Sequence, residues 1–126
     1  MKKIIHTTKA PAPLGPYNQG IAIDGVLYVS GQIAIHPETG RLENKDIQTE
    51  TVRVMKNIEA ILREAGTTFE NVVKTSILLT NMDDFVMVNK AYGTYFDEDT
   101  APARECAAVS KLPKHATVEI SAIAHL

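Results

Sequence analysis

The sequence predicts an α+β protein of two layers, one sheet of six strands with two helices packed on one of its faces. Three observations predict it. Six short runs carry strand-forming residues, two longer segments carry helical spacing, and their order along the chain is β-β-β-α-β-α-β-β. The last strand alternates cleanly between two kinds of face, Val118, Ile120, Ala122 and Ala124 against Thr117, Glu119, Ser121 and Ile123. The apolar row suits packing under helices, and the other row is mixed and contains a carboxylate.

Each element has its own warrant. Residues 2–6 form a weak first strand. Pro11, Pro13, Gly15 and Pro16 then exclude helix and hold the chain extended or turning. Residues 17–23 and 26–30 read as strands joined at Asp24-Gly25, a pair that tolerates the positive φ of a two-residue hairpin turn. Residues 47–65 read as a helix with Asp46 as N-cap and Gly66 just past its end. Val52, Met55, Ile58 or Glu59, and Leu62 mark its apolar stripe. Residues 72–80 are β-branched and aliphatic, so they read as a strand. Asn81 caps a second helix, with Asp83 and Asp84 in its first turn and Phe85, Val88, Tyr92 and Phe96 along one face. Residues 103–109 and 117–124 complete the strands, with Pro113 in the loop between them.

Composition narrows the class. The 126 residues suit one domain spanning 1–126, and 44% hydrophobic with 22% charged residues is ordinary for a soluble globular chain. A net charge of −2 argues against a general nucleic-acid binder, which carries a dense basic face. Cys106 is the one cysteine, so no intrachain disulfide forms, and a reducing, cytoplasmic location is expected. The apolar start at Ile4-Ile5 is cut short by His6-Thr7-Thr8-Lys9 before a signal-peptide core develops. No run approaches the ~20 apolar residues of a membrane span.

Few residues suggest chemistry unaided. Arg104 follows Pro102, which holds Ala101 extended and fixes entry to the strand. A guanidinium on a rigid strand holds a carboxylate through two parallel hydrogen bonds, but an exposed one equally pairs with a neighbouring acid. Glu119 sits mid-strand, where it either orients a water or is simply solvated. Cys106 shares a face with Arg104. Glu105 beside it opposes a thiolate, so it reads as a small buried filler whose backbone groups are open to a site role. The mixed sheet face reads either as a subunit interface with a polar site in it or as one wet face of an antiparallel sheet. Ser30-Gly31-Gln32 reads as a strand ending in a glycine turn, able to offer N–H groups and a hydroxyl to an anion. His6, His36, His115 and His125 have no metal-ligand spacing, and the glycines form no nucleotide loop. No metal and no cofactor are expected.

Several segments together carry a resemblance. They are Ala10 to Gly20, Ser30-Gly31-Gln32-Ile33, Val73-Lys74-Thr75, Val88-Asn89 with Tyr92 and Phe96, and Pro102-Ala103-Arg104 through Leu112-Pro113-Lys114 to Val118-Glu119-Ile120. In this order, over nearly the whole chain, they resemble the RidA/YjgF family. The resemblance implies a chorismate-mutase-like fold with a mixed sheet, assembled as a homotrimer with three sites in clefts between subunits. It implies a deaminase that hydrolyses 2-iminopropanoate and 2-iminobutanoate to 2-oxo acids and ammonia. Arg104 would hold the substrate carboxylate, Glu119 would associate with a water, and Tyr17, Ser30, Gly31, Asn89 and Cys106 would line the cleft. Ser121 departs from the second acid that many members carry there. The resemblance leaves two other classes open, a binding or regulatory module with little turnover and an RNA-directed activity. The acidic balance and the lack of an aromatic-basic stripe oppose the second.

Overall fold

The computed structural model describes residues 1–126. The strands are β1 (Lys3–Ile5), β2 (Gly20–Ile23), β3 (Val26–Gln32), β4 (Val72–Leu79), β5 (Ala103–Ala108) and β6 (Val118–His125), and the helices are α1 (Ile47–Glu64) and α2 (Phe85–Gly93). They form one mixed sheet in the order β1-β2-β3-β6-β4-β5. Only β4 and β5 run parallel, and α2 makes the crossover that a parallel pair requires. No helix is long and apolar enough to cross a membrane.

Local chemistry sets most boundaries. Asp24 (φ 51°) and Gly25 (φ 77°) make the tight hairpin turn. The Asp46 carboxylate accepts the Thr49 N–H at 2.7 Å and starts α1. Gly66, at φ 84°, ends it, because the left-handed turn lets the Thr67 and Gly66 amides reach the carbonyls of Leu62 and Arg63. The parallel placing of β5 and the insertion of β6 between β3 and β4 are tertiary facts with no local signal.

Both helices pack on one sheet face. Val54, Met55, Ile58, Ile61 and Leu62 of α1 and Val88 and Tyr92 of α2 share a core with Leu27, Val29, Ile77, Leu79, Val118, Ile120, Ala122 and Ala124. Met55, Ile58 and Leu62 of the apolar stripe expected on α1 lie in this core, and only Val52 departs from it. Val52 is only half-buried and Val54 and Ile61 also take inner positions, because the helix presents a broad face to the sheet. Other expectations shift too. Residues 17–19 precede the strand that begins at Gly20, since the proline-rich segment is still turning there. Asn81 caps a short 3-10 turn, Met82–Asp84, that leads into α2. Phe96 lies beyond the end of α2 and stacks on Tyr92 at 4.8 Å between centroids.

Two buried polar side chains lock loops to this frame. The Gln19 amide accepts the Thr7 N–H and donates to the carbonyls of Thr7, Ala10 and Pro11, which fixes the proline-rich segment. Glu50, 2% exposed on α1, accepts the Thr117 N–H, the Thr117 hydroxyl and the Val118 N–H where β6 begins. Removing it strands donors at a part-buried strand entry. Glu50→Ala is expected to lower the unfolding free energy by about 3 kcal/mol and Glu50→Gln by less, measured by urea denaturation. A loss below ~0.5 kcal/mol for Glu50→Ala contradicts this role for the carboxylate.

Candidate functional site

The candidate residues fall into two groups, one on each face of the sheet. The first lies at β5, one of the two edges of the sheet, whose outward backbone N–H and C=O groups have no strand beside them. Arg104 is paired in register with Thr75, and Cys106 with Ile77, whose side chain lies in the core. Arg104 and Cys106 therefore face the helices. The Arg104 Nη1 donates to the Asn89 Oδ1 at 2.6 Å, and its guanidinium carbon lies 5.5 Å from the Phe85 ring centroid and 5.2 Å from that of Tyr92. Phe85, Asn89 and Tyr92 stand at i, i+4 and i+7 on α2, so one helix stripe supplies all three contacts. Both rings lie within cation–π range.

A cavity of about 610 Å³ opens beside this guanidinium, with Asn89, Tyr92, Phe96 and Pro102 in its wall. Burial pushes the Tyr92 phenol up, against the opposing effects of the Thr75 hydrogen bond and the Arg104 charge. Burial likewise pushes the Cys106 thiol up, with Arg104 opposing. Cys106 is thus a protonated, half-buried filler, less enclosed than the sequence suggested. A larger groove of about 720 Å³, between Thr67, Phe69 and Tyr95, contains none of the candidate residues.

The second group lies on the face no helix covers. Glu119 is paired with Leu78 there, in a row with Ser121 and Ile123. Beside it β3 bulges. Val29 pairs with Ala122 and Gln32 with Ile120, so three steps on β3 match two on β6. The extra residue keeps both Val29 and Gln32 buried and lifts Ser30 and Gly31 out of the ladder to β6. Gly31 is therefore no turn ending a strand, since β3 continues through Gln32. A side chain here would push the Glu119 carboxylate from its place. A Cβ there would lie 2.8 Å from Glu119 Oε2 and 2.9 Å from its carboxyl carbon. The Ser30 hydroxyl donates to the Asn18 carbonyl at 2.6 Å and the Ser30 N–H to the Gln19 carbonyl, which docks the Tyr17 segment beside the bulge. The Tyr17 ring is exposed, and its hydroxyl accepts the Leu14 N–H. Partial burial, with no cation beside it to oppose, pushes the Glu119 carboxyl above the usual glutamate value.

The structure thus brings Gly31 and Glu119 together, with Ser30 beside Gly31 bonded to the Asn18–Gln19 backbone that follows Tyr17, and separately Arg104, Asn89 and Cys106. It does not bring the two groups to each other within the chain. Arg104 aligns through Thr75 with Ala122, three residues along β6 from Glu119 and two strands away. At about 4.8 Å per strand and about 3.4 Å per residue, their Cα atoms stand roughly 14 Å apart, with side chains on opposite faces. Sequence reasoning missed Phe85 and Thr75 as neighbours of the guanidinium and gave Tyr92 only a place in the core. The signal available was the stripe Phe85, Asn89, Tyr92, in which an amide interrupts an aromatic face.

Comparison with known proteins places this geometry among relatives. Residues 7–126 match the family model described as Endoribonuclease L-PSP. The chain is 50% identical over 125 residues to the RutC family protein slr0709 of Synechocystis, covering 98% of this chain and 96% of that protein. It is 45% identical over 124 residues to the mouse 2-iminobutanoate/2-iminopropanoate deaminase, covering 98% and 91%. It also superposes on the crystal structure of E. coli TdcF with bound serine, at a TM-score of 0.92, 37% identity and 98% coverage of both chains. With a family match over nearly its full length and relatives this similar, the chain belongs to the RidA/YjgF family.

Proposed function

We propose that this protein is a deaminase that hydrolyses short 2-imino acids, 2-iminopropanoate and 2-iminobutanoate, to 2-oxo acids and ammonia. The observation that carries the reading is the guanidinium of Arg104, fixed at a sheet edge by Asn89 and two rings beside an open cavity. Such a fork holds one planar carboxylate. The name of the mouse relative and the serine bound to TdcF point to the same ligand chemistry.

The site is completed by a second copy of the chain. Arg104 and Glu119 face away from each other, and the open face around Glu119 carries Tyr28, 48% exposed, with Leu78 and Ile123. A neighbouring copy seated on this mixed face covers it and brings its own β5 edge toward the Gly31–Glu119 wall, and a homotrimer gives three such clefts. Arg104 anchors the carboxylate and sets C2 against a water in the Glu119 wall. The glutamate accepts a proton as the water oxygen bonds to C2, then returns it to the nitrogen. The glutamate then takes the proton of the new C2 hydroxyl and passes it to the same nitrogen; C2=O forms as the C–N bond breaks, and ammonia leaves carrying both water protons. Orientation supplies part of the gain and proton transfer the rest. No metal or cofactor enters these steps.

Three results are expected. In an assay coupled to a threonine dehydratase, Arg104→Lys loses most of the acceleration of 2-oxobutanoate release, since an ammonium does not reproduce the planar fork. Wild-type activity in that variant removes the anchor role.

Mixing Arg104→Ala chains with Glu119→Gln chains, each strongly impaired alone, restores activity after subunit exchange. With equal amounts roughly a quarter of the clefts regain both residues. No recovery in demonstrably mixed oligomers, or full activity in a monomer, overturns the shared site.

Glu119 also trades stability for activity. Its folded pKa is raised, so the folded chain holds the proton to higher pH than the unfolded one. The stability this contributes is complete below the unfolded value and is lost as pH rises through the folded value. Glu119→Gln is therefore expected to lose about 10²-fold in rate while its urea midpoint exceeds that of wild type at neutral pH and matches it under acid conditions. A variant less stable than wild type at neutral pH contradicts the burial argument.

A further inference from the structure

We propose that Thr75 and Tyr92 form a positioning pair for Arg104, a buried hydroxyl tether that holds the aromatic platform on which the guanidinium rests. The inference deepens the reading of Arg104 as the carboxylate anchor and rests on it.

An arginine on an exposed edge strand ordinarily samples many rotamers, and each carboxylate bound must then select one. Here four groups narrow the choice. Asn89 takes one Nη1 hydrogen at 2.6 Å and leaves the rest of the fork free for a ligand. The Phe85 and Tyr92 rings flank the guanidinium within cation–π range. The fourth group is Thr75, the register partner of Arg104 on β4, whose Oγ1 lies 2.8 Å from the Tyr92 hydroxyl.

Thr75 is 2% exposed and Tyr92 4%, so water does not compete for this bond. The bond ties the far end of the ring to the very strand that carries Arg104 alongside. Sheet and helix are thereby locked at the one point where α2 hands its aromatic stripe to β5. Without the hydroxyls the ring retains its volume but loses its tether, and the platform tilts freely over the range its packing allows. The Thr75 and Tyr92 hydroxyls are occupied by each other, so the role of the bond is indirect. Their effect passes through the guanidinium and appears in carboxylate binding rather than in the chemical step.

The test uses the full-length protein with variants that preserve shape: Tyr92→Phe, Thr75→Val and Thr75→Ser. The readouts are KM and kcat in the coupled imine assay and the Kd of 2-oxobutanoate by calorimetry. Tyr92→Phe and Thr75→Val are expected to raise KM and Kd about three- to tenfold with kcat within about twofold, and Thr75→Ser, which keeps the hydroxyl, to stay near wild type. In an Arg104→Ala background, Tyr92→Phe is expected to leave the residual second-order rate unchanged, because nothing remains to position. Unchanged KM and Kd in the single variants, whatever their melting temperatures, overturns the inference. So does an equal loss with and without Arg104, which is the mark of a purely structural role. If Arg104→Ala itself binds 2-oxobutanoate as wild type does, the anchor reading fails first, and that outcome is distinct from the other two.

Discussion

The placement of β6 between β3 and β4 is the constraint on which the rest depends. Paired on both sides, this strand carries two rows of side chains to two different environments. Val118, Ile120, Ala122 and Ala124 enter the core under the helices, while Glu119, Ser121 and Ile123 face outward. A slip of one residue would exchange the rows, burying a carboxylate among leucines and exposing four core residues. The register is held at the strand's entry, where Glu50 of α1 receives three hydrogen bonds, and along its length by the core itself. The bulge in β3 is the accommodation on the other side. It lets both Val29 and Gln32 stay buried and frees the Gly31 backbone to lie against the Glu119 carboxylate.

From this frame follows the division of the charged groups. Arg104 and Glu119 stand on strands separated by β4 and point to opposite faces. Held in direct contact they would neutralise each other, leaving neither a fork for an anion nor a base for a water. Kept apart in one chain, each is prepared by its own surroundings. The cation is stacked on rings and restrained by an amide, and the carboxylate is partly desolvated and has no counter-ion. Two incomplete half-sites on a chain with an uncovered mixed face form a coherent design only if copies associate, which is why the proposed activity and the proposed assembly stand or fall together.

The arginine shows how secondary structure supplies this preparation. Phe85, Asn89 and Tyr92 recur at helical spacing, so one face of α2 delivers ring, acceptor and ring to the same guanidinium. The parallel strand pair places Thr75 level with Arg104, and its hydroxyl reaches the same tyrosine from below. Rigid elements converge on one side chain from the helix layer and the sheet layer at once. A binding group set this way loses little freedom when a ligand arrives.

By itself the sequence determined the elements, because their signals are local. Asp24-Gly25 fixes the hairpin, Asp46 and Gly66 bound α1, and the alternation from Val118 to Ala124 separates an inner from an outer row. It also determined the candidate residues, through motifs that recur across a family. Tertiary structure alone decided the strand order, the bulge that makes Gly31 a steric partner of Glu119, and the stack around Arg104. Above all it decided that Arg104 and Glu119 lie on opposite faces. These depend on which strands pair and in what register, a choice made by long-range burial that no window of neighbouring residues contains.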